Sequence, residues 1–478
     1  MRFNRFLAIP ALLAAVAAVQ ASQAQTSSLK IPRDDVAAFV DGMLDIQMKR
    51  DDTAGAEVFL SVEGETLISQ GYGLANVATK QRMSDQTIVQ TQGLAAAVIS
   101  VAVMQQVEAG RLSLDADVSR YVDVALPTRE DGPVTLRQLL THSAGLSAEL
   151  GSGKTLHAQL TTAQLRRPYP AGRVNRYSAY GLALAAYAVE RVTHEPIEGY
   201  VSRHIFTPLG MTHSTLLEPL PASLAPQASQ AYGASTAPPL APAHALGDVE
   251  NLSTTAHDLG LFGAMLAGSP STVLSAASIK TMLSRQAVPG LTADIPAMAL
   301  GLHEVWFNGS RLFGVSGDGP GFHSELQIDP VRKIVLFVVY NSDGHRPLPG
   351  QPYKLAAYSR GELIHGIFDR YQPFHPAVTP FVPSTDDEAQ MTGMWIAANA
   401  KPSAQVLHTR VDSHDHTLVV DRFISDRDTV KHWAMIGKGL WQQYPQDRIY
   451  FIAGKDGLPD RLALAADPAT HWLRVQTK

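Results

Sequence analysis

The chain has 478 residues, of which 45% are hydrophobic and 17% charged, an ordinary globular composition with length enough for two or three domains. Its formal net charge of −5 gives no electrostatic reason to expect nucleic acid or an anionic membrane surface as a partner. Because there is no cysteine, a thiol nucleophile, a disulfide framework, a Cys-based metal site and a lipoprotein anchor are all excluded.

The first segment has the features of an export signal. Arg2 and Arg5 precede a short apolar run at 8–19, and the small residues Ser22 and Ala24 fit a signal-peptidase cleavage site. We therefore expect residues 1–24 to be a signal peptide and the mature protein to be periplasmic or secreted. The run is too short to cross a bilayer comfortably, and no comparable run follows, so no membrane span is expected.

Residues 57–75 alternate between apolar and other side chains on either side of Gly64, which predicts a β-hairpin. Residues 94–107 are apolar almost all round and stop shortly before Gly110, as in a buried helix that ends at a glycine. Further patterns predict helices at 180–194 and 255–267 and an apolar strand at 334–340.

The stretch 371–387 carries four prolines and predicts an exposed, semi-rigid linker between a domain at 29–370 and a module at 388–478. Beyond it, short strand-like pieces alternate with turns and predict a small β-barrel or sandwich. These pieces are 406–411, 418–423, 432–436, 448–452 and 472–475.

A series of local motifs follows one order along the chain. They lie at 71–75, 103–115, 134–146, 208–211, 252–259 and 321–330. In this order they resemble the serine β-lactamase and penicillin-binding-protein superfamily, and specifically its class C β-lactamase-like, esterase and D-amino-acid peptidase members. The resemblance implies an α/β (α+β) fold, with an antiparallel sheet flanked by helices, a helical subdomain and a cleft between them. The appended β module is also common in that family.

The chemistry implied by the resemblance requires four groups in one cleft. A serine at the start of the buried helix attacks a carbonyl, and a lysine one helical turn later accepts its proton. A tyrosine with an asparagine two residues on supplies a second acid or base and a hydrogen bond to substrate. A lysine or histidine two residues before a glycine lines the opposite wall, and backbone N–H groups polarise the carbonyl.

The serine and lysine positions of this pattern fall on Gly93 and Ala96, which carry no nucleophile and no base. The tyrosine is kept as Tyr177, and we expect it inside the cleft, but the asparagine position holds Ala179. The remaining two positions of the pattern, the cation and the glycine, fall on Val315 and Gly317. Nucleophile, base, amide and cation are therefore absent together.

Other candidate sites are weaker. The Ser-x-x-Lys at 27–30 directly follows the predicted signal peptide and lies on no predicted helix, and no G-x-S-x-G motif occurs. His414 and His416 have the spacing of two metal ligands on a strand, but they fall between two strand signals, where a hairpin turn is favoured. We predict neither a metal nor a cofactor.

Three functional hypotheses remain open. The favoured one is a pseudoenzyme, a ligand-binding or regulatory protein that recognises a small-molecule, acyl or peptidoglycan-like ligand, or a protein partner. The second is an enzyme of different chemistry that uses Tyr177 as an acid or base. The third is a conventional serine hydrolase or esterase with an unrecognised nucleophile.

Overall fold

The computed structural model describes residues 31–128, 132–241, 249–286, 288–291, 295–344, 355–372, 384–397, 406–411, 418–423, 431–437, 440–444, 447–453, 458–464 and 467–474. Its helices are α1 Arg33–Asp51, α2 Ala95–Glu108, α3 Leu136–Leu140, α4 Leu156–Thr162, α5 Ala179–Thr193, α6 Ile197–Val201, α7 Thr207–Leu209, α8 Ala256–Leu266, α9 Ala276–Met282, α10 Leu355–Tyr371 and α11 Thr385–Met391. Within this part of the chain, no helix is long and apolar enough to cross a membrane.

A seven-stranded antiparallel sheet forms the frame of the first region. Its strands are β1 Gly55–Val62, β2 Glu65–Asn76, β3 Gln81–Arg82, β6 His303–Phe307, β7 Ser310–Asp318, β8 His323–Asp329 and β9 Ile334–Tyr340. They lie in the order β3-β2-β1-β9-β8-β7-β6. The predicted hairpin is therefore β1 and β2, and the predicted apolar strand is β9. A separate short pair joins β4 Val89–Gln90 to β5 Ser253–Thr254.

Successive residues of a strand point to opposite sides of the sheet. Helices cover both of these faces. On one face, Gly263 of α8 lies against the Val335 side chain. On the other face, the Tyr340 hydroxyl donates to Gln47 of α1 at 2.6 Å. Helix α10 contacts α1 as well as β8 and β9. The expected antiparallel sheet flanked by helices is confirmed.

The buried helix predicted at 94–107 is α2. Ten consecutive residues from Ala95 to Met104 are buried, and α2 packs against α5 in the main core. The helix ends in a Schellman motif, in which Gly110 N donates to Val107 O and Arg111 N donates to Gln106 O, both at 3.0 Å. Gly110 has φ +68°, a conformation that glycine adopts without a Cβ penalty. The helices predicted at 180–194 and 255–267 are α5 and α8.

The C-terminal region is a closed antiparallel barrel, which decides between the two predicted alternatives of barrel and sandwich. Its strands are β10 Gly393–Ala397, β11 Val406–Val411, β12 Leu418–Phe423, β13 Lys431–Gly437, β14 Leu440–Tyr444, β15 Asp447–Ala453, β16 Pro459–Leu464 and β17 Asp467–Arg474. Large apolar side chains pack together in its core, including Trp395, Phe451 and Trp472. A barrel of this size is wide enough to be filled by such side chains.

Part of the outer face of the barrel is buried against the first region. On β15, Ile449 and Phe451 belong to the barrel core, whereas Tyr450 and Ile452 pack with Ile295 outside it. This alternation follows the period of two of a strand. These side chains form an apolar strip on the outside of the barrel, where it packs against the first region.

Hydrogen bonds and an ion pair join the barrel to residues 173–175, the segment just before Tyr177. The Arg461 guanidinium donates to Arg173 O and Pro289 O, each at 2.7 Å, and Arg173 forms an ion pair with Asp460 at 2.7 Å. His471 N donates to Asn175 O at 3.1 Å. In return, the His471 Nδ1 atom accepts from Asn175 N at 3.4 Å.

Some sequence predictions fall on residues outside the described ranges. These include the signal peptide at 1–24 and the His414–His416 pair. The predicted linker at 371–387 overlaps two helices, since α10 ends at Tyr371 and α11 begins at Thr385. Residues 373–383 between them lie outside the described ranges. The domain boundaries stay a prediction.

The pH dependence of stability tests the barrel interface. Burial, reinforced by the nearby Arg461, lowers the pKa of His471 to about 3. Below about pH 6.5, His471 therefore takes up a proton in the unfolded chain but not in the folded protein. The free energy of unfolding then decreases as the pH falls from about 6.5 towards 3. Urea unfolding at pH 7 and pH 4.5 should show wild type losing about 2 kcal/mol more than His471→Gln. The exposed-histidine variant His257→Gln should follow wild type, and parallel losses for all three proteins would contradict a neutral His471.

Candidate functional site

The start of α2 and the strand β7 touch backbone to backbone at the positions where the resemblance expects a nucleophile. A 3-10 turn at Gln92–Leu94 leads into α2. A Cβ atom on Gly93 would lie 2.6 Å from Ser316 O. A Cβ on Gly317 would lie 2.8 Å from Gly93 N and would overlap the Thr91 carbonyl oxygen. No side chain fits at Gly93 unless the backbone moves.

The position expected to hold the base is a buried methyl group. Ala96 is 4% exposed and lies in the main core. A Cβ on Gly301 would overlap Ala96 O, and Gly301 N donates to Leu140 O at 3.0 Å. Backbone from another segment thus packs directly onto this turn of α2. One turn further, Ser100 is fully buried, as expected of a core serine.

The position expected to hold the cation is also part of the core. Val315 is 7% exposed, pairs with Leu326 on β8 and belongs to the main apolar cluster. Its neighbour Ser316 is exposed and contributes its carbonyl oxygen to the contact with Gly93.

Tyr177 lies just before the start of α5. Ser178 is the N-cap of that helix and accepts a hydrogen bond from Gly181 N at 3.0 Å, so Ala179 is the first helical residue. The Tyr177 side chain is 39% exposed, although its hydroxyl is turned inward and donates to the Glu250 carboxylate. The His142 ring lies beside the Tyr177 ring, with centroids 4.7 Å apart.

Burial shifts the pKa values of Glu250, Tyr177 and His142. Burial raises the pKa of Glu250, and the Tyr177 hydrogen bond only partly opposes that. Burial and the Glu250 carboxylate together raise the pKa of Tyr177 well above its usual value, so its hydroxyl stays protonated at neutral pH. Burial, with a smaller effect of His303, lowers the pKa of His142 to about 4. Neutral His142 accepts a hydrogen bond from Ser178 N through Nδ1 at 3.3 Å.

The segment that carries Glu250 is tied to the start of α2. The backbone N and the Oγ1 of Thr91 both donate to Leu252 O at 2.9 Å. The short β4–β5 pair continues this contact. The structure therefore brings Gly93 into contact with the Ser316–Gly317 backbone. It also brings the Glu250 partner of Tyr177 to the same end of α2.

Two residues at this site escape the sequence analysis. Glu250 stands two residues before the 252–259 motif, but its partner Tyr177 is 73 positions away, so no local pattern reveals it. Gln92 has φ +52°, and its side chain lies against Gly319, where a Cβ would come within 2.8 Å of Gln92 Cδ. Its Nε2 is buried without a hydrogen-bond partner among the described residues.

A charged network borders the site beyond Gly317. Asp318 is exposed, and it is also ion-paired. It contacts Arg360 of α10 at 2.8 Å and His323 at 2.7 Å. Although burial alone would raise it, Arg360 and His323 together hold the pKa of Asp318 well below its usual range. His323 also contacts Asp343 at 3.0 Å, so both of its ring nitrogens have a carboxylate partner.

Comparison with known proteins places the chain in a family. A family model described as Beta-lactamase matches residues 40–358, more than half of the chain. The putative penicillin-binding protein PbpX of Bacillus subtilis (strain 168) is 30% identical over 191 residues, which are 36% of this chain and 48% of PbpX. Esterase EstB of Burkholderia gladioli is 26% identical over 213 residues, which are 40% of this chain and 54% of EstB.

The crystal structure of SurE with D-Leu has a TM-score of 0.65 to this chain at 19% identity. The match covers 93% of this chain and 99% of that one, and at such low identity it shows a shared fold alone. The chain spans about half the length of the two curated relatives. It belongs to the β-lactamase family, and the resemblance to serine β-lactamases and penicillin-binding proteins is confirmed.

Stability measurements test the close approach at Gly93. Gly93→Ala should lower the free energy of unfolding by about 1–3 kcal/mol, because the new methyl group meets a backbone carbonyl. Gly361→Ala is the control, since nothing lies within 4 Å of a Cβ at this position of α10. That change should stabilise the protein by about 0.5–1 kcal/mol. Equal stability of Gly93→Ala and wild type in urea unfolding would show that space exists at Gly93.

Proposed function

We propose that this protein is an exported β-lactamase-family member that has lost serine hydrolase activity and acts as a ligand-binding or regulatory pseudoenzyme. The contact between Gly93 and Ser316 O carries the proposal. A serine hydrolase needs a side-chain oxygen at the start of the buried helix, and a Cβ at this position already meets a backbone carbonyl.

The other groups required for acyl transfer are missing in a consistent way. The base position is the buried Ala96, and the cation position is Val315, a core residue. Restoring one group alone would not restore the reaction, because nucleophile and base act as a unit. Membership of the family therefore supports the fold, while the replaced residues argue against the family's usual chemistry.

The geometry disfavours Tyr177 as a catalytic base. Its hydroxyl donates to Glu250, and its raised pKa keeps it protonated. A general base must instead be deprotonated near the operating pH. The same contact makes Tyr177 well suited to hold the Glu250 carboxylate in place, which is a binding role.

Labelling experiments test the loss of the nucleophile. The purified mature protein is incubated with benzylpenicillin and, separately, with a fluorophosphonate, and its intact mass is measured. We expect no adduct with either reagent, and no turnover of nitrocefin or p-nitrophenyl acetate above the rate in buffer. A stoichiometric adduct mapped to one residue, or clear turnover, would identify a working hydrolase and overturn the proposal.

Restoring the missing pair tests whether the rest of the site is intact. Gly93→Ser combined with Ala96→Lys should not produce esterase activity, because Ala179 and Val315 remain and the new serine meets Ser316 O. Hydrolysis of p-nitrophenyl acetate by the double variant is compared with that by each single variant. A large gain in the double variant alone would show that the site retains the other parts of a hydrolase.

A further inference from the structure

Glu250 is a buried carboxylate that no basic side chain of the described residues pairs with. Its side chain belongs to a residue only 9% exposed, and one of its oxygens accepts the Tyr177 hydroxyl. Within the described ranges, no lysine, arginine or histidine is hydrogen-bonded or ion-paired to it. A buried carboxylate without a positive partner is costly, so such groups are normally paired.

The second Glu250 oxygen is open to a ligand. Oε1 is the atom bound by Tyr177, and no hydrogen bond to Oε2 is found in the described residues. One acceptor atom next to the Tyr177 hydroxyl is therefore left without a partner among the described residues, and a ligand can occupy it.

The Tyr177 ring offers a second feature that attracts a cation. Its hydroxyl is fixed on Glu250, and His142 lies beside the ring, yet 39% of the residue stays exposed. An aromatic ring beside a carboxylate offers a face that attracts cations. Neutral His142 adds no positive charge that would oppose such a ligand.

We propose that the Tyr177–Glu250 pair binds the ammonium group of a primary-amine ligand. The ammonium donates to Glu250 Oε2 and lies against the Tyr177 ring. This inference rests on the proposed binding function and names the chemical class of the ligand.

The same site is poorly suited to an anionic ligand. The two positions where the resemblance implies cations are Ala96 and Val315, both buried and apolar. A ligand carboxylate near Glu250 would face a like charge, and no basic side chain of the described residues is paired with Glu250 to offset it. The selectivity for charge is therefore the feature that distinguishes this site.

Three probes of one shape test the charge preference. Benzylammonium, benzyl alcohol and benzoate are titrated into the full mature chain at pH 7.5, and each Kd is measured by ligand-observed NMR. Benzylammonium should bind at least tenfold more tightly than the other two. Equal affinities, tighter benzoate, or no saturable binding of benzylammonium would overturn the proposal.

Substitutions of Glu250 and Tyr177 test whether these two residues cause the preference for a cationic ligand. Glu250→Gln keeps an acceptor for the Tyr177 hydroxyl but removes the charge, and it should weaken benzylammonium at least tenfold without affecting benzyl alcohol. Glu65→Gln makes the same charge change at the exposed turn between β1 and β2, at the opposite end of the sheet from Gly317, and should have no effect. Tyr177→Phe keeps the ring and should weaken binding less than Tyr177→Leu.

The inference and the proposed function can fail separately. Amine binding that depends on Glu250 in a protein that also forms a penicillin or fluorophosphonate adduct would leave the site valid but make the chain an enzyme. An inert protein that shows no ammonium preference would leave the loss of hydrolase activity supported and remove the assigned ligand class.

Discussion

The backbone contact between the start of α2 and strand β7 determines what this site can do. Gly93 and Gly317 let the helix and the strand approach until the place of a Cβ at Gly93 is 2.6 Å from Ser316 O. In a hydrolase the same junction has to hold a nucleophile and leave room for a carbonyl carbon in front of it. Here the junction is filled by main chain, and Ala96 and Val315 beside it are core residues. The positions that the resemblance assigns to reactive groups are therefore occupied by main chain at Gly93 and by core side chains at Ala96 and Val315.

The charges at the site differ from those that the resemblance implies. The implied lysine and second cation fall on Ala96 and Val315, whereas the Tyr177 hydroxyl is bonded to a carboxylate, that of Glu250. Burial raises the pKa of Glu250, because the Tyr177 hydrogen bond only partly replaces the solvation that the carboxylate loses. The favourable partner for such a group is a cation supplied from outside.

The barrel contributes to this geometry although it lies more than 200 residues further along the chain. Arg461 and His471 bind the backbone of Arg173 and Asn175, the segment that leads directly to Tyr177. The Asn175 side chain in turn donates to Thr141 O, next to His142. Barrel, tyrosine and histidine are therefore held by one set of hydrogen bonds, and all described residues from Ile31 onward form one compact unit.

The sequence by itself predicted several elements of the fold and the replacement of the motif residues. Alternation and apolar periodicity predict β1, β2, β9, α2, α5 and α8 because local burial patterns reflect strand and helix geometry. The order of motifs indicates the family and hence the positions of Gly93, Ala96, Tyr177, Ala179, Val315 and Gly317. In the barrel, strands β10, β14 and β16 were missed because their patterns are short and weak, and in the first region β3 to β8 were not predicted. Only the tertiary structure decided that main chain fills the Gly93 junction, that Tyr177 pairs with Glu250 and that Asp318 is ion-paired. Each of these depends on atoms from segments distant in sequence, whose approach is set by packing and leaves no local pattern.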